Sequence, residues 1–249
     1  MADWPDTAPD RACLVLDFDG TLAPMTADPA RSAMPDSTAQ IVQGLVGQLG
    51  RVAMVSGRQA AFLADRVRIP GVELIGLYGL ERVVDGEIVP DDRVAPYEED
   101  LDRAREVLAA VVAEWAGAEL EDKGRALGVH WRRADSPDAE QALVRAVQDA
   151  AGELAVEEGK MVIELRPPVP ADKGTAVAGL AEGFATVVYA GDDVGDLPAF
   201  AEVARRGGLG VAVDHGAETD PRVLRAASVV VDGTEGMARW LRAVLDRVT

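Results

Sequence analysis

The stretch LVLDFDGTLAP, residues 14–24, joins an apolar run to two carboxylates and is the starting point for predicting the fold. The run from Leu14 to Leu16 has the continuous apolar character of a strand that is covered on both faces of a parallel sheet. Asp17 and Asp19 follow directly, so two like charges stand close together at the end of the strand. Ligands of open α/β sheets collect beyond the carboxyl ends of the strands, which indicates a binding site here.

Similar apolar runs recur along the chain and alternate with segments of helical periodicity, a pattern that favours a mostly parallel sheet wrapped by helices. The predicted strands are 12–18, 51–57, 71–79, 185–192, 208–214 and 227–233. The predicted helices are 37–49, 58–67, 173–182, 197–206 and 234–247, the last with Thr234 as its N-cap. The triplet DGE at 85–87 predicts a tight hairpin turn.

The middle of the chain departs from this alternation of strands and helices, which predicts an inserted unit. A helix over 96–116 is followed by strands in AELEDK and ALGVHWRR, and a second helix begins at Ser136 and Pro137 before strands in ELAVEEG and KMVIELRP. The apolar stripes of the two helices are Leu101, Ala104, Leu108, Val111 and Trp115, and Leu143, Ala146, Val147 and Ala150. We therefore predict an α/β core, 1–94 and 168–249, with an inserted α+β unit of order αββαββ at 95–167.

Composition limits the classes of partner. The chain has 249 residues, 48% of them hydrophobic, and a net charge of -18, which argues against nucleic acid and acidic membranes as partners. No apolar run approaches the ~20 residues of a spanning helix, and the first residues lack a secretory signal, so we expect a soluble cytoplasmic protein, as a monomer. The single cysteine, Cys13, excludes an intramolecular disulfide.

Polar residues just beyond the other strands are expected to meet Asp17 and Asp19 at one edge of the sheet. They are Ser56, Gly57, Arg58, Asp192, Asp193 and Asp196, with Lys173 at the start of the helix before the fourth core strand. At 4 Å each like-charged pair costs about 4 kcal/mol at an effective dielectric constant near 20, and a hard cation such as Mg²⁺ relieves that repulsion. Such a site suits phosphate, which Ser56, Lys173 and backbone N–H groups near Gly57 could hold. With phosphate bound, Asp17 becomes a nucleophile and Asp19 a general acid and base.

Four segments resemble, in order and spacing, the motifs of the haloacid dehalogenase (HAD) superfamily of phosphatases: DFDGTL, VSGR, ADKG and GDDVGD. The resemblance implies a HAD-like, Rossmannoid core in which Asp17 is phosphorylated and Asp19 protonates the leaving alcohol and then activates water. It also implies that Ser56 and Lys173 bind phosphate, and that Asp17, the backbone carbonyl of Asp19, and Asp192 bind Mg²⁺. Asp193 and Asp196 are expected to contact the metal ligands, or the metal through water, and not to bind the metal directly.

The inserted unit is similar to that of trehalose-6-phosphate phosphatases, through EDKGRALGVHWRR and GKMVIELRP together with GLYGLE in the core. This resemblance implies Mg²⁺-dependent hydrolysis of trehalose 6-phosphate through an aspartyl phosphate. It also implies a cap that binds the sugar through Glu121, Lys123, His130, Arg132 and Glu164. Tyr78 stands where the family often has histidine, and Gly195 and Leu197 replace a threonine and a glutamate. These departures concern the specificity for the sugar and leave the metal-binding aspartates in place.

Several alternatives stay open. A phosphatase for another glycosyl phosphate or a phosphosugar mutase would keep the same chemistry, and a receiver-like signalling module would also hold an aspartyl phosphate. A catalytically idle domain that regulates a partner synthase is a further alternative. The charged residues of the insert would, without a sugar, be cross-strand pairs at a surface, and His215 in the loop DHGAE is expected to be solvated.

Overall fold

A computed structural model describes residues 3–26, 28–159 and 161–249, and these form two compact units. The first unit is made from Met1–Val89 and Ala171–Thr249, and the second from Pro90–Pro170. The predicted limits of the insert, 95 and 167, both fall inside the second unit. Lys160, at the start of a predicted strand, lies outside the described residues.

The first unit is built on an eight-stranded sheet in the order β12-β11-β10-β1-β2-β3-β4-β5. Its strands are β1 (Ala12–Leu16), β2 (Arg51–Val55), β3 (Glu73–Gly76), β4 (Glu81–Val84), β5 (Glu87–Pro90), β10 (Thr186–Gly191), β11 (Leu209–Asp214) and β12 (Val229–Asp232). Pairing is parallel from β12 through β3, and β4 returns antiparallel to β3. The predicted α/β class with a parallel core sheet is confirmed.

Helices cover both faces of this sheet, and β1 shows why its sequence is apolar throughout. The helices of the unit are α1 (Asp36–Val46), α2 (Ala60–Arg66), α5 (Lys173–Leu180), α6 (Leu197–Arg205), α7 (Pro221–Ala226) and α8 (Gly233–Val248). Leu14 and Leu16 pack into the core with residues of α1 and α8, whereas Cys13 and Val15 pack into a second core with residues of α5 and α6. Successive side chains of a strand point to opposite faces, so every residue of β1 is buried.

Local predictions around these elements had mixed outcomes. The hairpin turn is confirmed, because Asp85 and Gly86 join β4 to β5 with φ of 53° and 84°, as a two-residue turn with both residues left-handed requires. The predicted N-cap Thr234 was wrong: α8 begins at Gly233, which places Thr234 inside the first turn. The strand predicted over 71–79 was too long, because β3 ends at Gly76, where the chain enters left-handed conformations.

The second unit has the predicted element order. It comprises α3 (Glu98–Val112), β6 (Glu119–Asp122), β7 (Leu127–His130), α4 (Ala139–Ala150), β8 (Ala155–Gly159) and β9 (Val162–Arg166). The strands form an antiparallel sheet in the order β6-β7-β9-β8. Apolar residues of both helices pack with one face of the sheet: Leu101, Leu108, Leu143, Val147, Leu127, Val129, Ile163 and Leu165. Because α3 ends at Val112, Trp115 lies beyond the helix predicted to contain it, although it still packs against this core.

Across the part of the chain that the structure describes, no helix is both long and apolar enough to cross a lipid bilayer.

Candidate active site

Three neighbouring parallel strands bring the predicted site residues together. β10, β1 and β2 are adjacent and parallel, so the residues that follow them lie at one edge of the sheet. A cavity of about 220 Å³ opens at this edge. It is lined by Asp17, Asp19, Ser56, Gly57, Arg58, Tyr78, Lys173, Asp193 and Gly195.

Lys173 supplies a buried positive charge at the bottom of this cavity. It is the first residue of α5, whose N-terminus is capped by Asp172 together with Thr175. Its Nζ lies 2.8 Å from Asp17 Oδ1 and 2.5 Å from Asp196 Oδ1, and only 4% of the residue is exposed. Burial lowers the pKa of Lys173, but the Asp17 and Asp196 carboxylates raise it above its ordinary value, so the side chain is an ammonium ion.

Asp17 and Asp192 form the part of the acidic cluster that can hold a cation. Together with Asp196 they place carboxylate oxygens within 4.8 Å of one another. Burial raises the pKa of Asp17 well above its usual range, opposed by Lys173, and burial followed by Asp196 and Asp193 raises the pKa of Asp192 to about 6. Carboxylate oxygens that are held this close together repel one another when ionised. Such oxygens are the ligands that a hard divalent cation prefers.

Asp196, in contrast, has no acceptor capacity left for a metal. Its Oδ1 accepts hydrogen bonds from Lys173 Nζ and the Tyr189 hydroxyl, each at 2.5 Å, and its Oδ2 accepts from the backbone N–H groups of Asp192 at 2.7 Å and Asp193 at 2.9 Å. A carboxylate has about four lone-pair positions, and these contacts occupy them. Burial and the Asp196 charge also raise the pKa of Tyr189, which keeps the phenol a donor. Asp196 therefore positions Lys173, Tyr189 and the backbone of the acidic turn through hydrogen bonds and does not itself face a cation.

Asp19 is held as a carboxylate by two neighbours. Arg58 donates from Nε to Oδ2 at 2.8 Å and from Nη2 to Oδ1 at 3.1 Å, and the Ser32 hydroxyl donates to Oδ1 at 2.6 Å. Burial raises the pKa of Asp19, but the hydrogen bonds from Arg58 and Ser32 outweigh it and hold the pKa below its ordinary value. The pairing with Arg58 therefore favours the ionised form of Asp19.

A second group of contacts positions Asp192, and sequence reasoning missed it. Thr21 donates to Asp192 Oδ1 at 3.1 Å, and His215 Nε2 lies 2.8 Å from the Gly20 carbonyl oxygen and 3.7 Å from Asp192 Oδ2. Gly20 has φ of 74°, and a Cβ there would lie 2.2 Å from Asp192 Oδ2. The expectation that His215 is solvated was wrong, since its side chain is only 16% exposed. His215 follows β11, which is the neighbour of β10 in the sheet. Residues that follow parallel strands lie at one edge of the sheet, so the same rule places His215 at the site.

The loop after β2 is hydrogen-bonded internally and lies against Tyr78. Ser56, 3% exposed, accepts the N–H of Arg58 on its Oγ at 3.1 Å. Its carbonyl accepts the N–H of Tyr78 at 3.0 Å. A Cβ on Gly57 would lie 2.5 Å from the Tyr78 hydroxyl oxygen, so a larger residue at this position would push the Tyr78 side chain aside.

In the second unit, four of the predicted sugar-binding residues form one charged cluster on the open face of the sheet. Lys123 Nζ lies 2.5 Å from Glu164 Oε1 and 3.5 Å from Glu121 Oε2, and His130 Nε2 lies 3.0 Å from Glu121 Oε2. Burial lowers the pKa of Lys123, but Glu164 and Glu121 raise it above its ordinary value. These contacts are the cross-strand pairs that the sequence offered as an alternative, and a role in sugar binding stays a prediction.

Arg132 stands apart from that cluster. It follows β7 in a turn, beside Arg133, and both side chains are exposed. The structure therefore brings Glu121, Lys123, His130 and Glu164 together and leaves Arg132 outside their hydrogen-bonded contacts.

Comparison with known proteins links both units to one family. The family model described as trehalose-phosphatase matches residues 15–233. Over 208 residues the chain is 33% identical to the trehalose-6-phosphate phosphatase of Escherichia coli, a match that covers 81% of this chain and 77% of that protein. It is 37% identical over 224 residues to an uncharacterized glycosyl hydrolase of Mycobacterium tuberculosis, which covers 85% of this chain but spans only 17% of that protein's length.

Solved structures show the same fold. A trehalose-6-phosphate phosphatase related protein aligns with a TM-score of 0.74 at 24% identity, covering 94% of this chain and 97% of that one. A haloacid dehalogenase-like hydrolase from Bacteroides thetaiotaomicron aligns with a TM-score of 0.63 at 17% identity, covering 96% of this chain and 99% of that one. At these identities the likeness is one of fold, and it agrees with the HAD-like fold expected from the four motifs.

Proposed function

Because the chain belongs to the trehalose-phosphatase family, we propose that it hydrolyses trehalose 6-phosphate to trehalose and inorganic phosphate. The observation that carries the proposal is the contact of Asp17 with the buried Lys173 ammonium, at 2.8 Å, in a small polar cavity that Ser56 and Gly57 also line. A carboxylate nucleophile beside a fixed cation, with hydroxyl and backbone donors around it, suits the transfer of a phosphoryl group.

Asp17 is the nucleophile in this mechanism. Substrate displaces Arg58 from Asp19, and Asp19 then takes a proton from solvent. One of the Asp17 carboxylate oxygens attacks phosphorus while the bond from phosphorus to the sugar oxygen breaks, and Asp19 gives its proton to the departing oxygen. Water then attacks phosphorus of the aspartyl phosphate and passes a proton to Asp19. Inorganic phosphate leaves, Asp17 is a free carboxylate again, and Asp19 releases its proton to solvent when Arg58 pairs with it once more.

Arg58 couples substrate binding to the protonation of Asp19. In the structure Arg58 and Ser32 keep Asp19 ionised, which is the wrong state for a general acid. A bound phosphate dianion competes for the Arg58 guanidinium, and loss of that partner lets the pKa of Asp19 rise. Ser56 and Lys173 meanwhile hold the phosphate oxygens as negative charge shifts between them.

Mg²⁺ is the cofactor that we propose, held by the Asp17 and Asp192 carboxylates and the Asp19 backbone carbonyl. When bound, the cation neutralises charge on the phosphoryl group and on the acidic cluster. The donor set supports this choice, since it is composed of oxygens and the pKa of Asp192 is raised to about 6 in the absence of a cation.

The acidic cluster predicts how stability depends on pH without a metal. Asp192 has a pKa raised from 3.8 to about 6, so its stabilising contribution is complete below 3.8 and is lost as pH rises through 6. The pKa of Asp19 is lowered from 3.8, so Asp19 stabilises the folded state above that pH. This contribution is lost only as the pH falls below 3.8, outside the range in which Asp192 titrates. In chelator we expect the free energy of unfolding to fall by roughly 1–3 kcal/mol between about pH 4.5 and pH 7.5.

Urea unfolding with EDTA across that range measures this slope. Excess Mg²⁺ binds the ionised carboxylates and should restore most of the lost stability at about pH 7.5 while adding little at about pH 4.5. A metal-free protein that becomes more stable as pH rises over this window contradicts the assignment of Asp192 as a destabilised carboxylate.

The substrate is tested with a panel of sugar phosphates. Trehalose 6-phosphate, glucose 6-phosphate and sucrose 6-phosphate are compared for phosphate release with Mg²⁺ and with chelator. We expect kcat/KM to be at least about 100-fold higher for trehalose 6-phosphate, and activity to be lost in chelator. Equal slow release from all three contradicts the substrate, and isomerised hexose phosphate with little free phosphate identifies a mutase instead.

Two neighbouring arginines test sugar binding by the second unit within the same assay. The charged face of this unit offers paired donors and acceptors suited to sugar hydroxyls, and Arg132 adds an exposed guanidinium. We expect Arg132→Ala to raise KM for trehalose 6-phosphate by about tenfold with kcat little changed. Arg133→Ala, an equally exposed neighbour, is the matched control and should leave both constants unchanged. Equal behaviour of the two variants contradicts a sugar-binding role for Arg132.

A further inference from the structure

The turn that follows β3 has an unusual backbone conformation. Leu77, Tyr78 and Gly79 have successive φ values of 48°, 59° and 110°. Left-handed conformations are unfavourable for residues with a Cβ, and bulky side chains rarely adopt them. Among the described residues other than glycine, only Asp85 and Met161 also have positive φ.

Contacts with the loop after β2 hold this turn in place. The N–H of Leu77 donates to the Arg58 carbonyl at 2.8 Å, and the N–H of Tyr78 donates to the Ser56 carbonyl at 3.0 Å. Leu77 is buried, with 3% exposure, which explains why an apolar residue is kept there. No comparable burial explains Tyr78, which is 42% exposed. Strained backbone that is held so firmly is a recurrent feature of functional sites.

The Tyr78 side chain lies at the rim of the active-site cavity. It lines that cavity with Asp17 and Lys173, and a Cβ built on Gly57 would lie 2.5 Å from its hydroxyl oxygen and 2.6 Å from the ring carbon that bears it. The hydroxyl thus lies over the backbone segment that, in our proposed function, receives the phosphate. Part of the Tyr78 side chain is exposed to solvent beside this cavity.

We propose that Tyr78 contacts the substrate directly, with its hydroxyl donating a hydrogen bond to a phosphate oxygen and its ring packing against the sugar. The proposal rests on the proposed function and adds a specificity-determining residue to it. A neutral phenol is a donor that a phosphate dianion accepts strongly, and an aromatic ring offers a large apolar surface at low entropic cost. Strain in the turn fixes the direction of the ring before substrate arrives.

Two substitutions separate the hydroxyl from the ring. Tyr78→Phe removes only the hydroxyl, and Tyr78→Asn removes the ring while keeping a residue that tolerates the left-handed backbone. Each variant is assayed on trehalose 6-phosphate and on glycerol 1-phosphate, a phosphate ester without a sugar ring. The control is Asp85→Asn, which makes the same kind of substitution at another left-handed position, exposed in a hairpin turn outside the cavity lining.

We expect Tyr78→Phe to lower kcat/KM about tenfold on both esters, because both carry the phosphate that the hydroxyl contacts. Tyr78→Asn should match it on glycerol 1-phosphate but lose roughly a further tenfold on trehalose 6-phosphate, mainly through KM. Asp85→Asn should leave both esters unchanged. A loss with Tyr78→Asn that is equal on both esters overturns the ring contact, and Tyr78→Phe within twofold of wild type on both overturns the hydroxyl contact.

Inorganic phosphate distinguishes failure of this proposal from failure of the proposed function. If the wild-type chain hydrolyses neither ester, the proposed function fails, and binding of inorganic phosphate with Mg²⁺ is measured by calorimetry. Weaker binding to Tyr78→Phe by about tenfold then supports the hydroxyl contact, whereas equal binding overturns it.

Discussion

Replacing Asp17 with asparagine is expected to reduce phosphate release by at least about 10⁴-fold, because the amide cannot serve as the nucleophile. The fold should be retained. Asparagine has nearly the same shape, and Lys173 keeps its 2.5 Å contact with Asp196 as a counterion. Burial already raises the pKa of Asp17, so replacing its carboxylate removes a charge that is unfavourable in this site.

Steady-state kinetics and thermal unfolding of Asp17→Asn test both halves of this expectation. Asp85→Asn makes the same chemical change at an exposed position and controls for preparation and handling. Activity above about 1% of wild type in a folded Asp17→Asn protein contradicts the nucleophile assignment, since removal of an attacking group typically costs far more. A folded and inactive protein whose melting temperature is unchanged or raised is the expected result.

The parallel core sheet was predictable because its strands show in local patterns, whereas the strand order was not predicted. The apolar run 14–16 and its counterparts lack alternation, and that alone indicates strands covered on both faces. Once the strands are parallel, the residues after them must share an edge, so Asp17, Ser56 and Asp192 could be grouped without coordinates. The prediction that Lys173 lies at a helix start is confirmed, and the structure shows this start capped by Asp172 and Thr175.

The partners of the catalytic carboxylates were not predictable in the same way. Ser32 lies in a loop and Tyr189 in an apolar strand, and neither position has a local pattern that connects it to Asp19 or Asp196. Hydrogen bonds between residues distant in sequence depend on side-chain directions that only the folded chain defines. The bidentate contact of Arg58 with Asp19 is an example, since the sequence places both residues at the site but not against each other.

Local backbone conformation was a second feature that the sequence did not predict. The apolar character of 71–79 predicts a strand throughout, yet the strand ends at Gly76 and a left-handed turn follows. Glycine or asparagine would have signalled such a turn, whereas Leu77 and Tyr78 are residues that usually avoid it. Their conformation is enforced by hydrogen bonds to the loop after β2, which is a tertiary effect.

Asp196→Ala is expected to destabilise the first unit strongly. The carboxylate is fully buried and accepts hydrogen bonds from Lys173, Tyr189 and the backbone N–H groups of Asp192 and Asp193. Alanine leaves the Tyr189 hydroxyl and the two backbone N–H groups without this acceptor and removes the nearer of the two carboxylates that contact the Lys173 ammonium. Breaking a buried ion pair by removing one partner typically costs about 3–5 kcal/mol, and we expect a loss of that size in the free energy of unfolding.

Urea unfolding of Asp196→Ala beside Asp193→Ala gives the sharpest test. Asp193 belongs to the same turn, but its side chain is 62% exposed and accepts a hydrogen bond from the Gly195 N–H at 2.9 Å. Loss of that cap should cost only about 1 kcal/mol. Similar losses in the two variants contradict the role of Asp196 as the residue that organises the cluster. A loss several times larger for Asp196→Ala means that the acidic turn after β10 is held by its most buried carboxylate, leaving Asp192 free to face a cation.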